Sequence, residues 1–303
     1  MSMILRTLAA LAAFAALPGI VVAETVEEKN VLAGKVKLDP AMGYIFTQAA
    51  NRTFGLFLRV PDDATRAEYQ KDWDEGFEKA KKKYASAIKT WEKDAAIARQ
   101  TKAKVPEKPV EPTRENFSIG SIELRDMVSF GPMFIYNKAP TRFTYLTSVK
   151  PGTYIYYGPL MYSPGLVPAG QCYCMGTVKF DVKAGVVTDI GNFLVAAPKP
   201  APPYDVTAQF WQDYNAKREA KGKGPVLVTP ELAYGVPDSL KGWPSVQAEF
   251  HASGKLNNYF GTVITRMPPI PGVLDYRRDT VIDARTGTAV PNPPIRTQVK
   301  LKK

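Results

Sequence analysis

Two cysteines one residue apart, Cys172 and Cys174, are the residues of this 303-residue chain whose type and spacing most suggest chemistry. Three alternatives are open for them: buried free thiols, a disulfide, or a redox or soft-metal site. In an extended strand they share a face with Val178 and Phe180, which predicts that both sulfurs point inward. A disulfide at this spacing needs a bend, because an extended strand holds the two Cα atoms near the upper limit of about 6.8 Å. Since only one histidine accompanies them, no metal site and no cofactor is predicted.

Glu249 and His251 form a second candidate pair. In the stretch VQAEFHA they alternate with apolar residues, so a strand here would place both on one polar face. A carboxylate that orients an imidazole is one part of a general base. The chain has no G-x-S-x-G, H-E-x-x-H or phosphate-binding loop to accompany them. We therefore predict a protein without enzymatic activity. The alternative is a hydrolase acting on a cell-wall or glycan substrate, with Glu249 and His251 as its catalytic residues.

A long, charged helix is predicted over residues 62–104. Its aromatic side chains recur at coiled-coil spacing: Trp73, Phe77, Tyr84 and Trp91. The proline-rich stretch VPEKPVEPT ends it, because proline cannot continue a helix. An aromatic stripe of this kind is expected to be buried against another surface, so residues 63–104 are predicted to bind a second copy or another protein. The alternative is that the stripe packs on the chain's own sheet or folds into a hairpin.

Short runs with period-two alternation precede and follow this helix and predict strands. The predicted fold class is mainly β (α+β), an antiparallel β-sandwich with a long charged helical insertion and a C-terminal β-rich extension. In chain order the prediction is a signal peptide (1–23), the sandwich (24–197) with its insertion (62–104), a proline-rich linker (198–205), a short helix with a β-rich extension (206–290) and a basic tail (291–303).

The first 23 residues have the layout of a Sec-type signal peptide. Arg6 precedes an apolar run, and small residues precede a cleavage site after Ala23. The run is shorter than the roughly 20 residues of a membrane-spanning helix, so no transmembrane segment is expected in the mature chain. We expect the protein in the periplasm or outside the cell. Its net charge of +11 favours an anionic envelope surface as a partner, whereas export makes nucleic acid an unexpected one.

Residues 150–193 resemble the transthyretin-like and carboxypeptidase-regulatory-like sandwich modules of envelope proteins. The resemblance rests on a Pro-Gly-x-Tyr turn and on the ending of a hairpin: Pro151, Gly152, Tyr154, Gly185, Val187, Ile190 and Phe193. It implies a β-sandwich of the binding or structural type and brings no catalytic residues with it. The helix over 62–104 has no counterpart in such modules. The sequence thus predicts an exported, non-enzymatic envelope protein that uses a basic, coiled-coil-like helix to engage a partner or an anionic surface.

Overall fold

The structure, a computed structural model, describes residues 24–133, 135–139, 142–163, 165–196, 213, 216–222 and 233–291. The predicted signal peptide (1–23) and linker (198–205) lie outside the described residues, as does the basic tail (291–303) apart from Pro291. The chain is mostly β and contains antiparallel sheets, which confirms the coarse prediction of the fold class. It divides into two compact units. Pro61–Arg125 is one, called here the helical unit, and the remaining described residues make up the sheet unit.

Six strands form the first sheet of the sheet unit: β1 (Glu24–Thr25), β2 (Gly43–Ala49), β5 (Asn137–Ala139), β6 (Arg142–Val149), β11 (Val187–Gly191) and β12 (Ser245–Gln247). Their order is β1-β6-β2-β11-β12, and β5 pairs with β6. The strand β11 runs parallel to both of its neighbours, β2 and β12, and the other pairs are antiparallel. All seven residues of β2 are buried, so both faces of this sheet are covered at its centre.

Five antiparallel strands form the second sheet: β3 (Gly55–Arg59), β4 (Val128–Phe130), β7 (Gly152–Gly158), β10 (Thr177–Val182) and β13 (His251–Ser253). Their order is β13-β10-β7-β3-β4. One hydrophobic cluster contains side chains from both sheets, such as Ile45 and Phe180. A second cluster contains Tyr44 and Phe46, which alternate with Ile45 along β2, together with Leu240 from the C-terminal part of the chain.

The stretch VQAEFHA is predicted as one strand, but the structure divides it between the two sheets. The strand β12 ends at Gln247 in the first sheet, and β13 begins at His251 in the second. Between them the amide of Ala248 donates to the carbonyl of Asp189 at 2.8 Å, which fixes the crossing point. Residues 245–253, assigned by the sequence to a C-terminal extension, therefore supply an outer strand to each sheet.

Two small sheets complete the sheet unit. The third contains β8 (Leu160–Met161), β9 (Ala169–Cys172) and β14 (Val263–Ile264), in the order β14-β9-β8, with β14 parallel to β9. The fourth is an antiparallel meander of β15 (Leu274–Arg277), β16 (Thr280–Asp283) and β17 (Thr288–Ala289). Two short helices, α1 (Glu28–Leu32) and α3 (Phe193–Ala196), lie in the connections.

The helical unit contains the 38-residue helix α2 (Asp63–Gln100). Asp62 caps it, because its Oδ1 accepts from the amide of Thr65 at 2.8 Å. The helix ends four residues before the predicted end at Lys104, since Lys102 adopts a left-handed φ of 54° and the chain turns back there. Residues 101–121, called here the return segment, contain no helix or strand. None of the helices within the described residues is both long and apolar enough to cross a membrane.

Candidate functional site

The aromatic stripe of α2 is covered by the helical unit's own return segment. The rings of Trp73 and Phe77 stack with their centroids 5.1 Å apart. Phe117 of the return segment packs against both, at 5.4 Å from Trp73 and 5.5 Å from Phe77. Next to this cluster, the Tyr69 hydroxyl donates to the carbonyl of Gly120 at 2.7 Å. The first half of the stripe is thus an internal seam between helix and return segment.

The second half of the stripe is held in the same way. The indole Nε1 of Trp91 donates to the carbonyl of Pro106 at 2.8 Å, and the Lys108 ammonium lies 5.9 Å from the Trp91 ring centroid. Further along the helix, Ala95 and Ala98 are buried. Three of the four aromatic residues predicted to bind a partner therefore contact their own chain, and Tyr84 is half-buried. The hairpin, given as an alternative above, is the arrangement that the structure has.

Charge is distributed unevenly along the rest of the helical unit. Residues 62–78 contain seven acidic and two basic residues, whereas residues 79–104 contain nine basic and two acidic ones. Four lysines of the second stretch, called here the lysine stripe, lie on the side of α2 opposite the aromatic stripe at 3.6 residues per turn: Lys79, Lys82, Lys89 and Lys93. All four are exposed, and none of them forms an ion pair with the described residues.

The acidic stretch is partly neutralised within the helical unit. Arg125 Nη1 lies 2.7 Å from Asp72 Oδ2, and its Nη2 lies 3.6 Å from Glu68 Oε2. Lys81 Nζ also pairs with Glu78 Oε1 at 2.6 Å. The basic stretch has fewer such partners. The stripe therefore presents a linear array of uncompensated positive charge, which is a feature suited to anionic ligands.

Cys172 and Cys174 form a disulfide in the structure, which was one of the three alternatives. Their Cα atoms are 5.1 Å apart, because β9 ends at Cys172 and the chain turns before β10 begins at Thr177. The amide of Tyr173 donates to the carbonyl of Tyr157 at 2.7 Å and directs the turn. Both cysteines are buried, at 0% and 2% exposure, as the shared parity with Val178 predicts.

The disulfide lies in a region that ties the end of β9 to the residues on both sides of β14. The carbonyl of Cys172 accepts from both the amide and the hydroxyl of Thr265, at 2.9 and 3.1 Å. On the other side, the carbonyl of Cys174 accepts from the amide of Leu256 at 2.8 Å. Among the described residues, no group of three or more His, Cys, Asp or Glu side chains is placed to hold a metal ion. Both cysteines are buried, so the disulfide is shielded from thiols in solution.

Glu249 and His251 are neighbours, but an arginine binds the carboxylate. Glu249 Oε1 lies 3.8 Å from His251 Nε2 and 2.5 Å from Arg285 Nη1. Arg285 Nη2 also donates to the carbonyl of Phe250 at 2.5 Å, which fixes the guanidinium. The same carboxylate oxygen thus faces both side chains, and the arginine is the closer one. Since Glu249 is 72% exposed, the group is a surface ion-pair cluster, which lacks the enclosure of a general-base site.

A pocket of about 510 Å³ was not foreseen from the sequence, because its residues come from distant parts of the chain: Glu28, Leu32, Asn137, Arg142, Thr144, Val236, Pro237, Asp238 and Ser239. The Ser239 hydroxyl donates to Glu28 Oε1 at 2.6 Å, and Asn137 Nδ2 donates to Glu28 Oε2. The hydroxyl of Tyr136 lies 2.8 Å from that of Ser239. Burial raises the pKa of Tyr136, so the phenol stays protonated at neutral pH. Both oxygens of the carboxylate are occupied by this network.

Arg59 and Asp126 form a buried ion pair that the sequence did not indicate. Arg59 Nη1 lies 3.2 Å from Asp126 Oδ2, and both side chains are less than a tenth exposed. The second carboxylate oxygen accepts from Lys150 Nζ at 3.0 Å, and Arg59 Nε donates to the carbonyl of Pro151 at 2.9 Å. Arg59 is the last residue of β3, just before the helical unit, and Asp126 is the first residue after that unit. The ion pair therefore connects the two ends of the sheet unit's chain between which the helical unit is inserted.

Asp189 is a second buried carboxylate. Its oxygens accept from the amide of Gly191 at 2.8 Å and from the amide of Gly235 at 2.6 Å. Burial raises the pKa of Asp189, and these two hydrogen bonds oppose that rise. Gly191 has a φ of 53°, and a Cβ there would lie 2.2 Å from the carbonyl oxygen of Ala233. The carboxylate therefore fixes the end of β11 against residues 233–235.

No known protein family, curated protein or solved structure matches this chain, so the resemblance of residues 150–193 to transthyretin-like modules stays a prediction.

Proposed function

We propose that this protein is an exported, non-enzymatic binding protein of the cell envelope, and that it binds an anionic surface through the lysine stripe of α2. In this proposal the first and second sheets form a β-sandwich of the transthyretin-like type, and the helical unit is an insertion between two of its strands. The ligand carries a series of anionic groups, such as phosphate, carboxylate or sulfate. The aromatic residues of the helix serve to hold the return segment, so the binding surface is the charged side of α2.

Two observations support the sandwich and the export. A single hydrophobic cluster contains inward side chains of both sheets, among them Ile190 and Phe57, as expected when two sheets pack face to face. The disulfide between Cys172 and Cys174 suits an oxidising compartment outside the cytoplasm. The disposition of Glu249, whose nearest cation is Arg285, favours a binding protein over the hydrolase alternative.

The observation that carries the proposal is the separation of charge along the helical unit. Acidic residues near a helix N-terminus and basic ones near its C-terminus complement the helix dipole, but that effect is confined to the first and last turns. Lys79 and Lys82 lie in the middle of α2, where the helix dipole does not favour basic residues. An exposed row of lysines about 20 Å long, at 1.5 Å per residue from Lys79 to Lys93, is instead suited to an extended polyanion or a charged surface.

Each lysine near an anionic surface contributes about 1 kcal/mol, and salt screens that attraction. Replacing three lysines of the stripe, as in Lys82→Gln/Lys89→Gln/Lys93→Gln, should therefore weaken binding roughly a hundredfold at low ionic strength. Glutamine is a good helix former, so the helix is preserved. The probe is fluorescently labelled dextran sulfate, a soluble polyanion, with neutral dextran beside it.

The matched control is Lys35→Gln/Lys37→Gln/Lys183→Gln, which removes the same net charge from exposed positions of the sheet unit. The control variant should bind dextran sulfate within about threefold of the wild-type affinity, since in this proposal these three lysines do not contact the polyanion. If both triple variants lose affinity equally, binding depends on net charge alone and the proposal is wrong. Circular dichroism of the variants checks that α2 is retained.

A further inference from the structure

The side of α2 that carries the lysine stripe is acidic closer to the N-terminus of the helix. Glu68, Glu75, Lys82 and Lys89 follow one another at intervals of seven residues, and all four are exposed. Successive members of such a series are turned by only about 20° around the axis, so the four side chains share one side of the helix. We call residues 62–78 the acidic half of this helix, because the stripe begins directly after them.

The acidic half keeps a net negative charge after its ion pairs are counted. Arg125 and Lys81 form ion pairs with carboxylates of residues 62–78. Together with the two basic residues of that stretch they bring four positive charges against seven negative ones. Glu75 forms no ion pair with the described residues. An anionic ligand that extends over the acidic half is therefore repelled there.

The boundary between the stripe and the acidic half is sharp compared with the range of electrostatic interactions. Glu75 lies four residues before Lys79, which is about 6 Å along the axis. The Debye length at 0.1 M salt is about 10 Å, so a flat anionic surface that contacts Lys79 also interacts with Glu75. A tilt that lifts the acidic half away from such a surface would separate Lys79 and Lys82 from it as well. A flat surface is thus a poor match for the stripe.

The stripe also lacks the apolar face with which a helix inserts into a bilayer. Between Lys82 and Lys89 its side of α2 carries Ser86, which is polar and exposed. One exposed apolar side chain, Ile97, follows one turn after the stripe, and single residues of this kind are ordinary on a protein surface. The aromatic side of α2 is covered by the return segment. A bilayer would therefore have to be bound by charge alone.

We propose that the ligand of the lysine stripe is a linear polyanion, of the kind that an anionic glycan chain presents, which lies along α2 from Lys79 to Lys93. This inference rests on the proposed function and selects the class of ligand for the same site. A chain can follow the lysines for about 20 Å and turn away from the helix before it reaches Glu75. The surface of an anionic phospholipid bilayer cannot turn away in this manner, so it meets lysines and carboxylates together.

The magnitudes favour the chain over the bilayer. Each lysine near an anionic surface raises the affinity by a factor of about five. A carboxylate in the same place lowers the affinity by a similar factor, because the sign of its interaction is reversed. A chain on the stripe gains from four lysines and meets no carboxylate of the acidic half. A flat surface gains from the same lysines and loses most of that gain to the carboxylates on the same side of the helix.

The first test measures the affinity of the full-length protein for sulfated oligosaccharides of increasing length at about 0.1 M salt. The series contains chains shorter than the stripe, chains of about 20 Å, and chains of about 57 Å, the length of the whole helix. Affinity should rise roughly a hundredfold between a chain that reaches one lysine and a chain that reaches all four. Beyond about 20 Å it should change by less than about fivefold, because a longer chain gains no further lysine of the stripe.

The second test is co-sedimentation with vesicles of phosphatidylglycerol and phosphatidylcholine at the same salt concentration. It uses the two triple lysine variants introduced above, one in the stripe and one in the sheet unit. Any vesicle binding by the wild-type protein should come from its net charge, so both triple variants should lose equal amounts of it. A larger loss in the stripe variant would mean that a lipid surface binds the stripe.

A pair of glutamate variants tests the role of the acidic half directly. Glu68→Gln/Glu75→Gln should raise the affinity for these vesicles roughly tenfold or more, because two carboxylates are removed beside the stripe. The matched control is Glu107→Gln/Glu111→Gln, which removes two exposed carboxylates from the return segment. Since that segment covers the opposite side of α2, the control should gain less than about threefold in affinity.

Three results would each overturn this inference: an affinity that keeps rising with chain length beyond about 20 Å, a larger loss of vesicle binding in the stripe variant than in its control, and equal vesicle affinities of the two glutamate variants. None of them would refute the proposed function. That function is tested separately, by the dextran sulfate affinities of the two triple lysine variants.

Discussion

Removing the Asp126 carboxylate should destabilise the sheet unit more than any exposed charge would. In Asp126→Leu the guanidinium of Arg59 stays buried, with its Nη1 deprived of an acceptor at 3.2 Å. Breaking a buried pair in this way costs about 3 to 5 kcal/mol of unfolding free energy. For a unit of this size each kcal/mol lowers the melting temperature by about 2 to 4 °C, so we expect a decrease of roughly 6 to 20 °C.

The partner substitution should cost less. Arg59→Met leaves Asp126 with a second cation, because Lys150 Nζ lies 3.0 Å from its Oδ1. We expect a loss of about 1 to 3 kcal/mol, since the carboxylate keeps one charged hydrogen bond. The double variant Arg59→Met/Asp126→Leu buries no unpaired charge. It should therefore be more stable than Asp126→Leu alone, which gives the cycle a coupling energy of 1 kcal/mol or more, about the lower range for residues in contact.

The assay is urea unfolding followed by circular dichroism, with wild type, both single variants and the double variant at one pH. The control is Asp279→Leu, which breaks the exposed pair with Lys255 and should change the unfolding free energy by less than about 1 kcal/mol. The reasoning is refuted if Asp126→Leu is no less stable than Asp279→Leu, or if the double variant is as destabilised as the sum of the singles. Either result would mean that the pair is not held in a low-dielectric environment.

Three further predictions concern the crosslink, the second buried carboxylate and the aromatic seam. Replacing Cys172 and Cys174 by serine should lower stability by about 1.6 kcal/mol, the loop-closure entropy of a three-residue loop, and calorimetry that shows an unchanged melting temperature would contradict this. Burial raises the pKa of Asp189 above its ordinary 3.8, which is its value in the unfolded chain. Between the unfolded and the folded pKa the native state binds more protons than the unfolded state, so the unfolding free energy falls as pH rises. Asp189→Asn should flatten that slope in urea titrations at several pH values, and an unchanged slope would disprove it. Trp73→Ala removes two ring contacts worth about 1 to 3 kcal/mol together. Limited proteolysis should then cleave the return segment (101–121) faster than in the wild type. An unchanged cleavage rate would mean that these ring contacts do not hold the return segment.

Local sequence patterns predicted where strands occur better than they predicted which strands pair with each other. The alternation of VQAEFHA correctly indicates that Phe250 and Ala252 are buried, yet it does not show that β12 and β13 belong to different sheets. Periodicity reports which face of a strand is covered, whereas pairing depends on residues that are distant in the sequence. The parallel pairing of β11 with β2 is of this kind, and its sequence reads the same as that of an antiparallel strand.

The candidate sites show the same division between local and long-range information. The parity of Cys172 with Val178 predicted burial, but the bend that brings the Cα atoms to 5.1 Å depends on the hydrogen bond from Tyr173 to Tyr157. The heptad spacing indicated that the aromatic stripe packs against another segment, but it did not show which segment. The return segment supplies that cover through Phe117 and Pro106. By contrast, the lysine content of α2 is visible in the sequence, because exposed charge needs no partner to be recognised.

The most direct test of the lysine stripe as the binding surface is hydrogen–deuterium exchange of the full-length protein, followed by mass spectrometry, with and without dextran sulfate. The account predicts slower exchange in peptides from residues 79–104 and unchanged exchange in peptides from residues 62–78. A soluble polyanion offers charge without an apolar surface, so the measurement reports on charge alone. Protection of residues 62–78, protection confined to the sheet unit, or no protection at all would contradict the account.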